Sequence, residues 1–136
     1  MHSSLKNYVK HLNSFYKKTP ALWEIDFSWD GFKWISDSDR DQNTIAFIRK
    51  DKNGESIISL INFAPVNRDE YRIGVSEPGI YKEVFNSDLT EYGGWGNKNK
   101  KEIKTEEIPM HGYSYSVSVK SPPLAMICLK LKGLIE

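Results

Sequence analysis

The feature that most constrains the fold is a strict alternation near the end of the chain. Tyr113, Tyr115, Val117 and Val119 interleave with Ser114, Ser116, Ser118 and Lys120. Side chains of a strand point to opposite faces in turn, so this pattern is a strand with one apolar and one polar face. Other short β-type runs precede it. Thr44 to Arg49 and Ser56 to Phe63 flank a turn around Asn53-Gly54, and Glu70 to Val75 and Ile80 to Asn86 flank Pro78-Gly79. Ile103 to Ile108 reads as a further short strand and Ala125 to Leu131 as the last. Short strands separated by turn signals predict an antiparallel sandwich or barrel.

Before Thr44 the chain reads differently. Leu5, Tyr8, Val9, Leu12, Phe15 and Tyr16 recur at spacings of three and four, the apolar stripe of an amphipathic helix. Ser3 or Ser4 is the expected N-cap, and Thr19-Pro20 the stop. The stripe is broad for a helix on a small β domain and predicts a second neighbour. Trp23 to Ile35 is an aromatic link without a clean period, and Ser36 to Asn43 a polar loop. Ser87 to Lys101, rich in Gly, Asn and Lys, reads as a mobile loop.

The chemistry is sparse. The chain has 19 basic and 18 acidic side chains and a net charge of +1, which offers nothing to nucleic acid or to an acidic membrane. No apolar run reaches the roughly 20 residues of a membrane span, and there is no signal-peptide core. The single cysteine, Cys128, permits no intrachain disulfide and sits in an apolar run. It reads as a buried, inert thiol, and a reducing cytoplasm fits. Asp37-Ser38-Asp39-Arg40-Asp41 begins like a calcium loop, but Gln42 stands where glycine must turn the chain and Ile48 where the last carboxylate belongs. His2, His11 and His111 have no metal-ligand spacing. No cofactor or metal is expected.

Glycoside chemistry needs two carboxylates about 5 Å apart for retention. Glu24, Asp26 and Asp30 in the aromatic link are the least ordinary acids, and nothing marks them as such a pair. The aromatic content is 12%, so rings are expected to supply much of the hydrophobic burial. Trp23, Trp29, Trp34 and Trp95 fall in link or loop positions. Rings there can stack on sugars or pack a domain interface.

The order of short motifs is more specific than any one of them. Asn62-Phe63-Ala64-Pro65-Val66, Tyr71-Arg72-Ile73-Gly74-Val75, Pro78-Gly79-Ile80-Tyr81, Val84-Phe85-Asn86-Ser87-Asp88 and Tyr92-Gly93-Gly94-Trp95-Gly96 follow one another. Together they resemble the C-terminal β domain of bacterial 1,4-α-glucan (glycogen) branching enzymes, in the α-amylase superfamily. Leu12 to Tyr16, Thr19 to Glu24, Gly31 to Ile35, His111-Gly112 and Ser121 to Ala125 extend the resemblance over nearly the whole chain.

The resemblance implies an all-β fold, a Greek-key β-sandwich preceded by the last helix of a (β/α)8 barrel. Residues 1–35 would be that helix and the aromatic link, and residues 36–136 the sandwich. It implies a parent enzyme that cleaves α-1,4-glucan and transfers the segment to a 6-hydroxyl, with its catalytic carboxylates in a barrel that no segment here matches. No catalytic residue is carried over, and this chain alone is not expected to be an enzyme. The expected partner is the missing barrel of the same parent chain, with α-glucan a candidate ligand. Trp95, Tyr92 and Trp29 are the candidate glucan contacts; Trp23, Trp34 and Phe32 are the candidate barrel interface. The alternatives are an autonomous α-glucan-binding module, or the corresponding domain of a debranching or trehalose-forming enzyme. A start inside a helix suggests a piece of a longer protein, whose outward apolar side would drive self-association.

Overall fold

A computed structural model of the chain describes residues 2–25, 31–39 and 43–133. Helix α1 (His2–Lys18) ends at Thr19 and a single 3-10 turn, Pro20–Leu22. Eight strands follow among the described residues: β1 (Phe32–Asp39), β2 (Thr44–Lys50), β3 (Ser56–Asn62), β4 (Arg68–Val75), β5 (Ile80–Asn86), β6 (Ile103–Lys104), β7 (Tyr115–Ser121) and β8 (Ala125–Gly133). Six of them form one sheet in the order β1-β2-β3-β8-β5-β6, and β4 pairs with β7 in a second. The chain crosses between sheets after β3, β4, β6 and β7, and β8 inserts between β3 and β5. These are the Greek-key connections of a sandwich.

Several local expectations are corrected. Ser3 and Ser4 lie within α1, which already begins at His2, so neither is its N-cap. The aromatic link ends in strand β1, where Trp34 pairs with Phe47, so Trp34 is a strand residue. A boundary between residues 35 and 36 therefore falls inside β1. Asp37 and Asp39 also belong to β1 rather than to a loop. The strand expected over Ile103 to Ile108 stops at Lys104. There the chain leaves the large sheet, and Glu106 bridges to Ser116 of the small one.

The inner face of the large sheet carries the main core. Ile58, Leu60, Ile127 and Leu129 pack with Ile73, Val75, Val117 and Val119 from the small sheet, all at most 2% exposed. Among the described residues of this core, Tyr71 and Tyr81 bring the buried rings, and the Tyr71 hydroxyl accepts from Thr44 Oγ1 at 2.6 Å. Rings are expected to supply much of the hydrophobic burial, but this core is mainly branched aliphatic. Branched side chains fill a pleated surface closely, and a ring with a hydroxyl must also reach a partner.

One buried side chain ties the crossover out of β3. Asn62 Nδ2 donates to the carbonyls of Val66 at 2.9 Å and Pro122 at 3.0 Å, and Asn62 Oδ1 accepts from Ala64 N–H. At the other end, Met110 and Tyr113 exchange both backbone hydrogen bonds around His111 (φ 54) and Gly112 (φ 83). Two successive positive φ values make a tight hairpin turn that glycine adopts without strain. His111 Nδ1 accepts from Gly74 N–H at 3.1 Å and fastens this turn to β4.

Candidate functional site

The outer face of the large sheet is covered only in part. Over β8 and β5 lie α1 and the 3-10 turn. Tyr8, Leu12, Phe15 and Leu22 pack on Ala21, Ile57, Phe85 and Cys128. Phe15 stacks on Phe85 at 5.1 Å between ring centres, and Tyr8 tilts against it at 6.1 Å. Cys128 is buried beside Ser59, and burial pushes its thiol up from 9.0 to about 11, which makes it the inert thiol expected.

This packing uses only half of the helical stripe. Residues three and four apart share a side of a helix, so Tyr8, Leu12 and Phe15 face the sheet together. Leu5, Val9 and Tyr16 lie on the adjoining side, 60%, 46% and 46% exposed. Tyr16 lines a surface hollow with Lys17 and Trp23. The candidate interface residues continue this apolar surface onto β1 and β2. Phe32 meets Trp34 edge-on at 5.1 Å and stacks on Phe47 at 5.3 Å. Arg49 lies over the Phe32 ring at 6.0 Å and donates to the Leu22 carbonyl at 3.2 Å. That contact joins the strand cluster to the turn that bears Trp23. Phe47 was missed by sequence reading; once β1 and β2 are paired, its alternation with Ala46 and Ile48 identifies its face.

The glycine-rich loop forms the second candidate surface. It is closely hydrogen-bonded, and the sequence gives little warning of the side chain responsible. Asp88 is 4% exposed. Its carboxylate accepts from Trp95 N–H at 3.1 Å, Asn97 N–H at 3.0 Å and Asn97 Nδ2 at 3.1 Å. Its carbonyl accepts from Gly96 N–H at 2.7 Å, and its own N–H donates to Asn86 Oδ1. A Cβ on Gly94 would lie 2.3 Å from that carbonyl, so only glycine passes there. The Asn86-Ser87-Asp88 run was the available signal, since Asx side chains organise turns of this kind.

The structure separates the candidate glucan contacts. Trp95 stands 82% exposed. Tyr92, three residues earlier, turns towards α1: its hydroxyl is 2.8 Å from His11 Nδ1, and its ring meets Tyr8 edge-on at 5.4 Å. Partial desolvation, then Glu91 and Tyr8, hold its phenol above the ordinary value of 10.0. Trp29, Asp26 and Asp30 lie outside the described residues. Glu24 accepts from Lys52 N–H at 2.7 Å and so ties the link to the β2–β3 turn. Among the described residues no group of three His, Cys, Asp or Glu could hold a metal ion, and no helix is long and apolar enough to cross a membrane.

Comparison with known proteins gives consistent matches. The family described as the alpha amylase C-terminal all-beta domain matches residues 34–132. The 1,4-alpha-glucan branching enzyme GlgB of Halothermothrix orenii is 47% identical over 131 residues, covering 96% of this chain and 21% of that protein. Those of Desulfitobacterium hafniense and Aquifex aeolicus are 41% and 42% identical, covering 96% and 97% of this chain and 21% of each protein. This chain thus spans about a fifth of the length of these relatives. The crystal structure of an alpha-amylase from H. orenii superposes with a TM-score of 0.53 at 20% identity, over 93% of this chain and 20% of that one. That likeness concerns the fold alone.

Proposed function

The chain belongs to the alpha amylase C-terminal all-beta domain family, and from that membership we propose that it is the non-catalytic C-terminal domain of a 1,4-α-glucan branching enzyme. Relatives bearing that name match almost the whole chain. The parent would cut an α-1,4-linked glucan and join the freed segment to a 6-hydroxyl. This domain would contribute neither acid nor nucleophile to that step. Its work is to cover and stabilise the catalytic barrel. Residues 1–35 act as the barrel-facing layer and residues 36–136 as the sandwich beneath, with β1 straddling the two. A cytoplasmic location goes with this reading, supported by the single, free, buried thiol of Cys128.

The observation that carries the reading is the half-covered outer face. Leu5, Val9, Tyr16, Trp23 and Trp34 are all large, apolar and exposed, the last two at 38% and 42%. Interface cores are enriched in such rings. A chimera tests the proposal: this chain replaces the matching fifth of the Halothermothrix orenii branching enzyme. The chimera is expected to be soluble and to branch amylose, while the 136-residue chain alone forms no branches. Polar substitution of Leu5, Val9 and Trp34 together should make the chimera insoluble or thermally weak. Branching by the chain alone, or a chimera indifferent to those substitutions, would contradict the reading.

A further inference from the structure

We propose that Trp95 is a preorganised stacking site for an α-1,4-glucan chain, held in place by Asp88. The choice of glucan as ligand rests on the branching-enzyme reading; the existence of a built aromatic site rests on the loop itself.

A single exposed ring is ordinary on a protein surface and needs no explanation. What distinguishes Trp95 is its carrier. Five consecutive backbone N–H groups are bonded: Gly93 to the Thr90 carbonyl, Gly94 to the Leu89 carbonyl, Trp95 to Asp88 Oδ1, Gly96 to the Asp88 carbonyl and Asn97 to Asp88 Oδ2. Asn86 Nδ2 then donates to the Asn97 carbonyl at 2.7 Å. A buried carboxylate is costly unless it is fully hydrogen-bonded. Here that bonding fixes the backbone on both sides of one indole, and the indole stays in solvent.

A ring on a fixed backbone has two side-chain torsions left to lose on binding, so little entropy opposes contact. The faces of a glucose unit present C–H groups, a match for an exposed aromatic ring. Tyr92 is not part of this site, because its hydroxyl is bonded to His11.

The test is calorimetric titration of the 136-residue chain with maltoheptaose, beside Trp95→Ala, Trp95→Phe, Asp88→Asn and Phe63→Ala, each checked for native circular dichroism. Saturable binding is expected in the unmodified chain. Affinity should fall about tenfold or more in Trp95→Ala, the loss of one ring contact. It should be largely kept in Trp95→Phe, weakened in Asp88→Asn although the ring remains, and unchanged in Phe63→Ala, which removes a different exposed ring. No saturable heat up to roughly 10 mM sugar would overturn the proposal, as would full binding by Trp95→Ala. Equal binding of cellohexaose would overturn its α-glucan selectivity. These outcomes are independent of the scaffold reading, because chimera solubility and branching are measured without reference to Trp95.

Discussion

The inner and outer faces of the six-stranded sheet are closed by different means. Inside, the β4–β7 pair covers an aliphatic core in which Ile73, Val117, Ile127 and Leu129 have no exposure at all. Outside, α1 covers β8 and β5 with Tyr8 and Phe15 packed on Phe85, while Trp34 and the Leu5–Val9 side of the helix stay open. The inner face is complete within this chain, whereas the outer face has contact surface left over. A core that must hold one domain together uses interdigitating branched side chains. A surface that must also meet a neighbour uses large rings.

The largest expected effect lies inside. Leu129→Ala should cost about 4 kcal/mol in denaturant unfolding, because a fully enclosed site collapses poorly. It should weaken both faces together. Phe85→Ala should cost about 3 kcal/mol. In native-state hydrogen exchange it should release α1 before the sandwich, whereas equal release of both would erase the distinction between the faces.

Alkaline pH probes the same contrast at two buried groups. On the outer face, Cys128 titrates near 9.0 when unfolded and about 11 when folded. The unfolded chain therefore loses its proton first. The stabilisation is intact below pH 9 and disappears as pH rises towards 11, about 3 kcal/mol in all. Cys128→Ala should remove that slope. On the inner face Tyr81, raised from 10.0 to about 12 by burial and by Glu77, should extend the decline higher, and Tyr81→Phe should end it. A stability flat from pH 9 to 11 would contradict the burial of Cys128.

The smallest effect on folding belongs to the uncovered strip. Leu5→Gln with Val9→Gln should change stability by no more than about 0.5 kcal/mol. In sedimentation velocity the unmodified chain should self-associate and this variant should not. A monomeric unmodified chain would show the strip to be less adhesive than its exposure suggests.

Much of the sandwich was legible because its strands carry their own period. Tyr115, Val117 and Val119 alternate as read, although Ser116 on the polar side is buried, receiving a hydrogen bond from Arg72 at 2.8 Å. β1 was illegible because rings occupy its outer side and Lys33 and Ile35 its inner one, and only the partner strand β2 separates the two sets. Lys33 even lies over the Tyr113 ring, 5.4 Å from its centre, on a side that pattern reading reserves for apolar residues. At the candidate sites Trp34 and Phe32 do meet, and Trp95 is exposed. Asp88 sits in a polar loop, where a carboxylate usually faces water, and the Asn86-Ser87-Asp88 run marks a turn without showing that the carboxylate is turned inward to bind the loop.

Oxidative footprinting of tryptophan in the isolated chain and in the branching-enzyme chimera tests the central claim most directly. If the outer face is built for the barrel, Trp23 and Trp34 will lose most of their labelling in the chimera, and Trp95 will keep its own. Equal labelling of Trp23 and Trp34 in both proteins would mean that no barrel rests on that face.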